Sequence, residues 1–194
     1  MEMKAQQRIA AGRQQVWEAL NDPEILRAAI PGCESFESDG ENRYNARITN
    51  RIGPVKASFR FAIELSELDP PNSYVIQGKG QGGAAGFANG GARVSLEDDG
   101  GDTLLNYELD ASVGGKLAQL GGRLIDGAAK KLADQFFTRL GEAIANMEPP
   151  PEEPGAAETK NGTESGPESG SGTGKLVRLG VVLLIAALIV VWLI

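Results

Sequence analysis

Few side chains in this sequence are placed to do covalent chemistry. The single cysteine, Cys33, follows Pro31-Gly32 and stands beside Glu34. No cation or histidine adjoins it in the sequence to draw the thiol down, so it is expected to pack as a small apolar group rather than attack a substrate. The chain has no histidine at all, which excludes a Ser–His–Asp triad, a histidine general base and a histidine-ligated metal. Asp98, Asp99 and Asp102 crowd one stretch, but the spacing of an EF-hand is absent and a solvated turn is expected. Gly78-Lys79-Gly80-Gln81-Gly82-Gly83 matches G-x-G-x-x-G. That motif binds a dinucleotide only where a helix follows it inside a βαβ unit, and here more glycine and then strand-like alternation follow. The formal net charge of −7 is wrong for wrapping nucleic acid, whose affinity comes mostly from phosphate neutralisation. One cysteine forms no intrachain disulfide, so nothing here depends on an oxidising compartment.

What remains is apolar binding chemistry, and the elements that would position it follow from periodicity. Val55, Ala57, Phe59, Phe61, Ile63 and Leu65 share one parity against Lys56, Ser58, Arg60 and Glu64, the pattern of a strand with one buried and one wet face. Similar alternation runs through residues 3–10, 74–80, 92–96 and 105–113. Arg13 to Leu20 and the stretch after Pro23 suit two short helices, stopped at Pro31-Gly32. Leu117, Leu120, Leu124, Ala128, Leu132, Phe136, Leu140 and Ile144 recur at helical spacing, with Ile125, Ala129, Ala133 and Phe137 broadening the stripe. A strand, two short helices, an antiparallel meander and a long C-terminal helix make an α+β fold in which a curved sheet wraps that helix.

Small residues crowd the facing positions: Ala57, Gly78, Gly80, Ala92, Ala111, Gly121, Gly122, Ala128 and Ala129. Sheet and helix are then either closely apposed or separated by an apolar pocket of the kind ligand-binding domains use. The expected pocket brings Phe59, Phe61, Tyr74 and Tyr107 on the sheet against Leu117, Leu120, Gly121, Leu124 and Ala128 on the helix. Residues 82–91 are expected to form a loose loop, on which Phe87 is either a lid or partner contact, or the loop's anchor in the core. The glycine pairs 114–115 and 121–122 mark either a pocket mouth or a frayed start of the long helix, since glycine inside a helix costs up to about 1 kcal/mol.

Composition changes sharply after residue 147. In residues 148–174, Pro, Gly, Glu, Ser and Thr supply 23 of 27 positions. Such a segment buries too little apolar surface to offset the entropy of ordering it and is expected to act as an acidic linker. Residues 175–194, KLVRLGVVLLIAALIVVWLI, are almost wholly apolar. Nineteen residues from Leu176 give about 28 Å of helix, close to the hydrocarbon thickness of a bilayer. The anchor residues are then Lys175, Arg178, Leu179 and Trp192. The cations on the N-terminal side place residues 1–147 on the cytoplasmic face of the membrane. The polar first fifteen residues lack the apolar stretch of a signal peptide.

Several motifs also resemble a known family. Val16-Trp17-Glu18-Ala19-Leu20-Asn21-Asp22-Pro23, Ile30-Pro31-Gly32-Cys33-Glu34, Ile52-Gly53-Pro54-Val55-Lys56, Asp69-Pro70-Pro71, GGAAGFANGGA at 82–92 and GGKLAQLGGRLIDGAAKKLADQFF at 114–137 together resemble the CoxG family, named for carbon monoxide dehydrogenase, over about residues 1–145. The resemblance implies a START-like (SRPBCC) helix-grip fold. It also implies a non-catalytic accessory protein that recruits a molybdenum carbon monoxide dehydrogenase, or a related molybdenum hydroxylase, to the cytoplasmic membrane. It implies no molybdenum, iron–sulfur or flavin centre in this chain. The superfamily's pocket takes large apolar molecules, and for a respiratory dehydrogenase the natural ligand is a membrane quinone such as menaquinone. A protein-only scaffold with a filled core and a START-like enzyme on an aromatic substrate are the alternatives.

Overall fold

The computed structural model describes residues 2–147. They form a seven-stranded antiparallel sheet in the order β1-β7-β6-β5-β4-β3-β2. Its strands are β1 (Glu2–Ile9), β2 (Cys33–Ser38), β3 (Arg43–Ile52), β4 (Val55–Asp69), β5 (Ser73–Gln81), β6 (Phe87–Asp99) and β7 (Asp102–Gly114). Between β1 and β2 lie helices α1 (Arg13–Ala19) and α2 (Pro23–Ala29), and the long helix α3 (Gly122–Ala145) follows β7. The expected curved sheet with a C-terminal helix is therefore present, and the helix covers the sheet's apolar face.

Local sequence explains each element. In β4 the inward parity is buried at Ala57, Phe59, Phe61, Ile63 and Leu65, while Lys56, Ser58, Arg60, Ala62 and Glu64 are exposed. Helix α2 starts where Asp22 accepts hydrogen bonds from the amides of Glu24 (2.8 Å) and Ile25 (3.3 Å), with Pro23 in the first turn. An aspartate cap satisfies donors that a helix start leaves unpaired, and proline there loses nothing. Helix α1 is fixed at one end of the sheet by Arg13. Its guanidinium donates to Asn72 Oδ1 at 2.7 Å and pairs with Asp98 at 3.0 Å, reaching the β4–β5 turn and the end of β6 together. The buried Thr103 hydroxyl donates to the Ala11 carbonyl at 2.7 Å.

Three expectations are corrected. Strands β2 and β3 replace a stretch for which no strand was expected, and they extend the sheet beyond β4. Residues Phe87–Gly91 are not a loose loop. They pair with β5 and β7, from Gln81↔Phe87 and Phe87↔Gly114 onward, because glycine still offers the N–H and C=O of the ladder and the two flanking strands supply the order it lacks. Only Gly83–Ala85 form a short 3-10 turn. The long helix starts later than its apolar stripe: Ala118–Leu120 make a separate 3-10 turn, and Gly121 adopts φ +86°, a left-handed conformation that ends it before α3 begins.

Candidate ligand-binding site

The sheet has two ends with different chemistry. At one end lie the β3–β4 hairpin, the turn between β5 and β6, the segment joining β7 to α3, and the start of α3. At the other lie α1, the β4–β5 and β6–β7 turns, and the end of α3, whose Ile144 carbonyl accepts from Gln15 at 3.4 Å.

The first end is built from glycine and aromatic rings. Phe59 and Phe61 are buried and stacked, with centroids 5.8 Å apart and planes at 25°. A Cβ at Gly82 would lie 2.5 Å from Cζ of Phe59, and one at Gly80 would collide with the Phe61 ring. These two glycines therefore hold the space in which the rings lie. The β5–β6 turn and the β7–α3 segment are in backbone contact: the Leu117 amide donates to the Ala85 carbonyl at 3.2 Å, and a Cβ at Gly86 would strike Gly114. Leu117 is fully buried beneath this contact.

Two large apolar side chains in the described residues stay exposed, Phe87 at 43% and Leu124 at 40%. Both belong to this end. Phe87 covers Gly114, where a Cβ would meet its ring, and Leu124 packs 3.3 Å from the position a Cβ would take on Gly53 in the β3–β4 hairpin. Gly121, also exposed, sits at the break before α3.

Placement of the remaining expected residues corrects the sequence picture. The inward face of α3 is Ile125, Ala129, Ala133, Phe136, Leu140 and Ile144. In its first half the helix is turned by one residue from the expected stripe, so that Ala128 is only half-buried and Leu124 faces outward instead of across the sheet. Leu120 is partly buried against the core. Tyr107 meets Phe137 of α3 in a stacked pair at 6.1 Å, and its hydroxyl reaches Met3 Sδ at 3.8 Å. Tyr74 is not among the residues at the glycine-rich end. It lies eight residues along β5 from Gly82, beneath α1, edge-on to Trp17 with centroids 5.4 Å apart. Phe59, Phe61, Leu117, Leu120, Gly121, Leu124 and Ala128 thus lie at one end, Tyr107 stands midway, and Tyr74 closes the other. Phe87 is at the first end but not in the expected pocket: in register with Gln81 and Arg60, it lies on the outer, wet face of the sheet.

Surface cavities elsewhere do not involve these residues. One of 590 Å³ opens on the outer sheet face beside Gly91, and one of 540 Å³ lies between α1, Pro70-Pro71 and Met147.

Other reactive candidates are electrostatically quiet. Burial pushes the Cys33 thiol up to about 11, and the nearby Arg27, not evident from sequence adjacency, only partly opposes this. Asp99 and Asp102 pair with Arg8 at 3.3 and 2.8 Å, and with Asp98 on Arg13 the acidic turn is tied to cations. Among the described residues no group of three metal-ligating side chains occurs.

Known proteins agree with this architecture. Residues 6–145 match the family model of CoxG, the G subunit of carbon monoxide dehydrogenase. The chain belongs to the CoxG family. A crystal structure of a conserved protein from Geobacillus kaustophilus is 34% identical, with a TM-score of 0.71, covering 75% of this chain and 95% of that one. Proteins from Thermus thermophilus (19% identity, TM-score 0.53, 74% and 99% covered) and Mycobacterium smegmatis (15%, 0.55, 76% and 92%) share the fold. No curated protein matches the chain. The CoxG match also covers the glycine-rich end and all of α3. The apolar stretch 175–194, with Lys175, Arg178, Leu179 and Trp192, lies outside both the match and the described residues. Among the described residues no helix is long and apolar enough to cross a membrane.

Proposed function

We propose that this CoxG-family chain is a membrane-tethered, non-catalytic accessory protein. It recruits a molybdenum carbon monoxide dehydrogenase, or a related molybdenum hydroxylase, to the cytoplasmic face of the membrane and holds a quinone such as menaquinone between sheet and helix. Family membership supports the accessory role beside such an enzyme. The apolar sequence 175–194 supports the tether. The observation that carries the ligand is Leu124, a large apolar side chain left exposed against the β3–β4 hairpin, at the end where glycines and a broken helix start form the wall between the sheet and α3. An exposed large apolar group at such a mouth is a contact point for apolar material.

The physical need is direct. Each CH₂ taken out of water is worth about 0.8 kcal/mol, so a long-tailed quinone stays in the bilayer. A tethered domain raises the effective concentration of both enzyme and carrier at that surface. The protein-only scaffold keeps one observation in its favour: Ala88, Ala111 and Ala129 are buried with almost no accessible surface, as in a filled core. Quinone uptake therefore requires the start of α3 to move outward. Organic extraction of the full-length protein, purified in detergent from its own membranes, decides between the readings. A stoichiometric quinone by mass spectrometry is the expected result. Protein that co-sediments with the molybdenum enzyme yet yields no quinone leaves the scaffold.

A further inference from the structure

Four cross-strand rows cross the inner face of β5, β6 and β7. From the glycine-rich end inward they are Gly80–Ala88–Val113, Gly78–Gly90–Ala111, Ile76–Ala92–Leu109 and Tyr74–Val94–Tyr107. Along β6 the inward side chains are Ala88, Gly90 and Ala92 before Val94 is reached, and Ala129 and Ala133 of α3 are equally small. A lane of small groups thus leads from the mouth toward Tyr74. Between Gly82 and Tyr74 it spans eight residues, about 26 Å at strand rise.

The end of this lane carries an anomaly. The Tyr74 side chain is fully buried, and among the described residues nothing hydrogen-bonds to its hydroxyl. Buried phenols nearly always have a partner, because an unpaired donor keeps its desolvation cost. Phenylalanine would fill the same volume beside Trp17 without that cost. Burial holds the Tyr74 hydroxyl protonated far above neutral pH, so it remains a donor.

We propose that the Tyr74 hydroxyl is the donor that recognises a hydrogen-bond-accepting head group, such as a ring carbonyl, on an elongated apolar ligand that enters head first along this lane. The tail then trails past Gly78 and Gly80 to Leu124, where the ligand leaves the bilayer. This rests on the ligand-holding reading above and assigns the ligand's direction and its polar contact. Tyr74 is the recognition residue, and Trp17, whose ring lies 5.4 Å from it, is the reporter. Quinones quench indole emission at short range, and a head left at the mouth would stand about 26 Å from Trp17.

The test uses full-length protein in detergent carrying Trp192→Phe, so that Trp17 is the remaining tryptophan. The probes are menaquinone-4 and the same prenylated ring system without its carbonyls. Menaquinone-4 is expected to quench Trp17 strongly. Tyr74→Phe is expected to weaken menaquinone-4 binding about tenfold, the size of one lost hydrogen bond. It should leave the carbonyl-free probe unchanged and should not lower the thermal midpoint of the unliganded protein. Menaquinone-4 that binds but leaves Trp17 bright, or binds Tyr74→Phe as tightly as the unmodified protein, overturns head-first recognition while quinone holding stands. Absence of binding by either probe to the unmodified protein overturns both.

Discussion

Two glycines inside α3 allow the stiffness of the mouth to be changed without touching the lane. Gly127 and Gly141 both lie within the helix, neither takes a positive φ, and a Cβ added at either meets nothing within 4 Å. Alanine at each site should therefore add the full propensity difference, about 0.8–1.0 kcal/mol. For a domain of this size that is a rise of about 4 °C in the thermal midpoint. The two sites differ in place. Gly127 is one and a half turns from the helix start, beside Leu124, whereas Gly141 lies in the half packed against α1 and α2. If quinone entry needs the first half of α3 to swing away from Ala88 and Ala111, Gly127→Ala should slow uptake several-fold, while Gly141→Ala raises the midpoint equally and leaves uptake unchanged. Circular dichroism melts give the first quantity and stopped-flow quenching by menaquinone-4 gives the second. Equal slowing by both variants, or slowing by neither, refutes the idea that the start of α3 is the moving part.

Replacing the exposed Leu124 by Asn should cut quinone loading several-fold, whereas Phe87→Ser, on the outer sheet face, should leave it unchanged. Being partly exposed already, Leu124 should cost no more than about 1 kcal/mol; unaltered loading by Leu124→Asn in extracted protein would mean the mouth is elsewhere. Deleting residues 175–194 should move the protein from the membrane to the soluble fraction. Retention in high salt, which screens surface charge but not hydrophobic insertion, would show that another part anchors it. With its thiol pushed up to about 11, Cys33 should be alkylated at pH 8 about a hundredfold more slowly in folded protein than after unfolding. The same shift sets a pH window. Below pH 9 the thiol is protonated in both states, and above it the unfolded chain ionises first, so stability should fall as pH rises from 9 to 11. Alkylation of the native protein at the unfolded rate would place Cys33 at the surface.

Much of this fold was legible because one face of each strand is wet. The alternation through Val55–Asp69 is almost unbroken, and the buried and exposed residues follow it without a slip. Strands β2 and β3 were hidden by weaker contrast rather than by a missing pattern. Tyr44, Ala46 and Ile48 alternate with Asn45, Arg47 and Thr49, but only three apolar groups stand in that run, and the β2 register is broken between Cys33 and Ser35. The glycines of 87–91 hid the start of β6 for the opposite reason. They carry no side chain to alternate, and their strand character comes from the neighbours on both sides.

The site was less legible because parity fixes a face and not a position along it. Tyr74 and Phe59 share the inner face, yet antiparallel hairpins carry them to opposite ends, and only the register between β4, β5 and β6 says so. The helix presents the same ambiguity by rotation. Leu124, Ala128 and Leu132 form one apolar row and Ile125, Ala129 and Ala133 form the next, about 100° apart, and composition does not choose between them. In the structure the row of Ile125, Ala129 and Ala133 is the buried one, and Leu124 stays exposed. The buried row of the first half of α3 thus contains two alanines, small groups that give up little contact if that half moves outward. If it does, a ligand whose acceptor reaches the unpartnered Tyr74 hydroxyl would supply the hydrogen bond that the empty domain lacks.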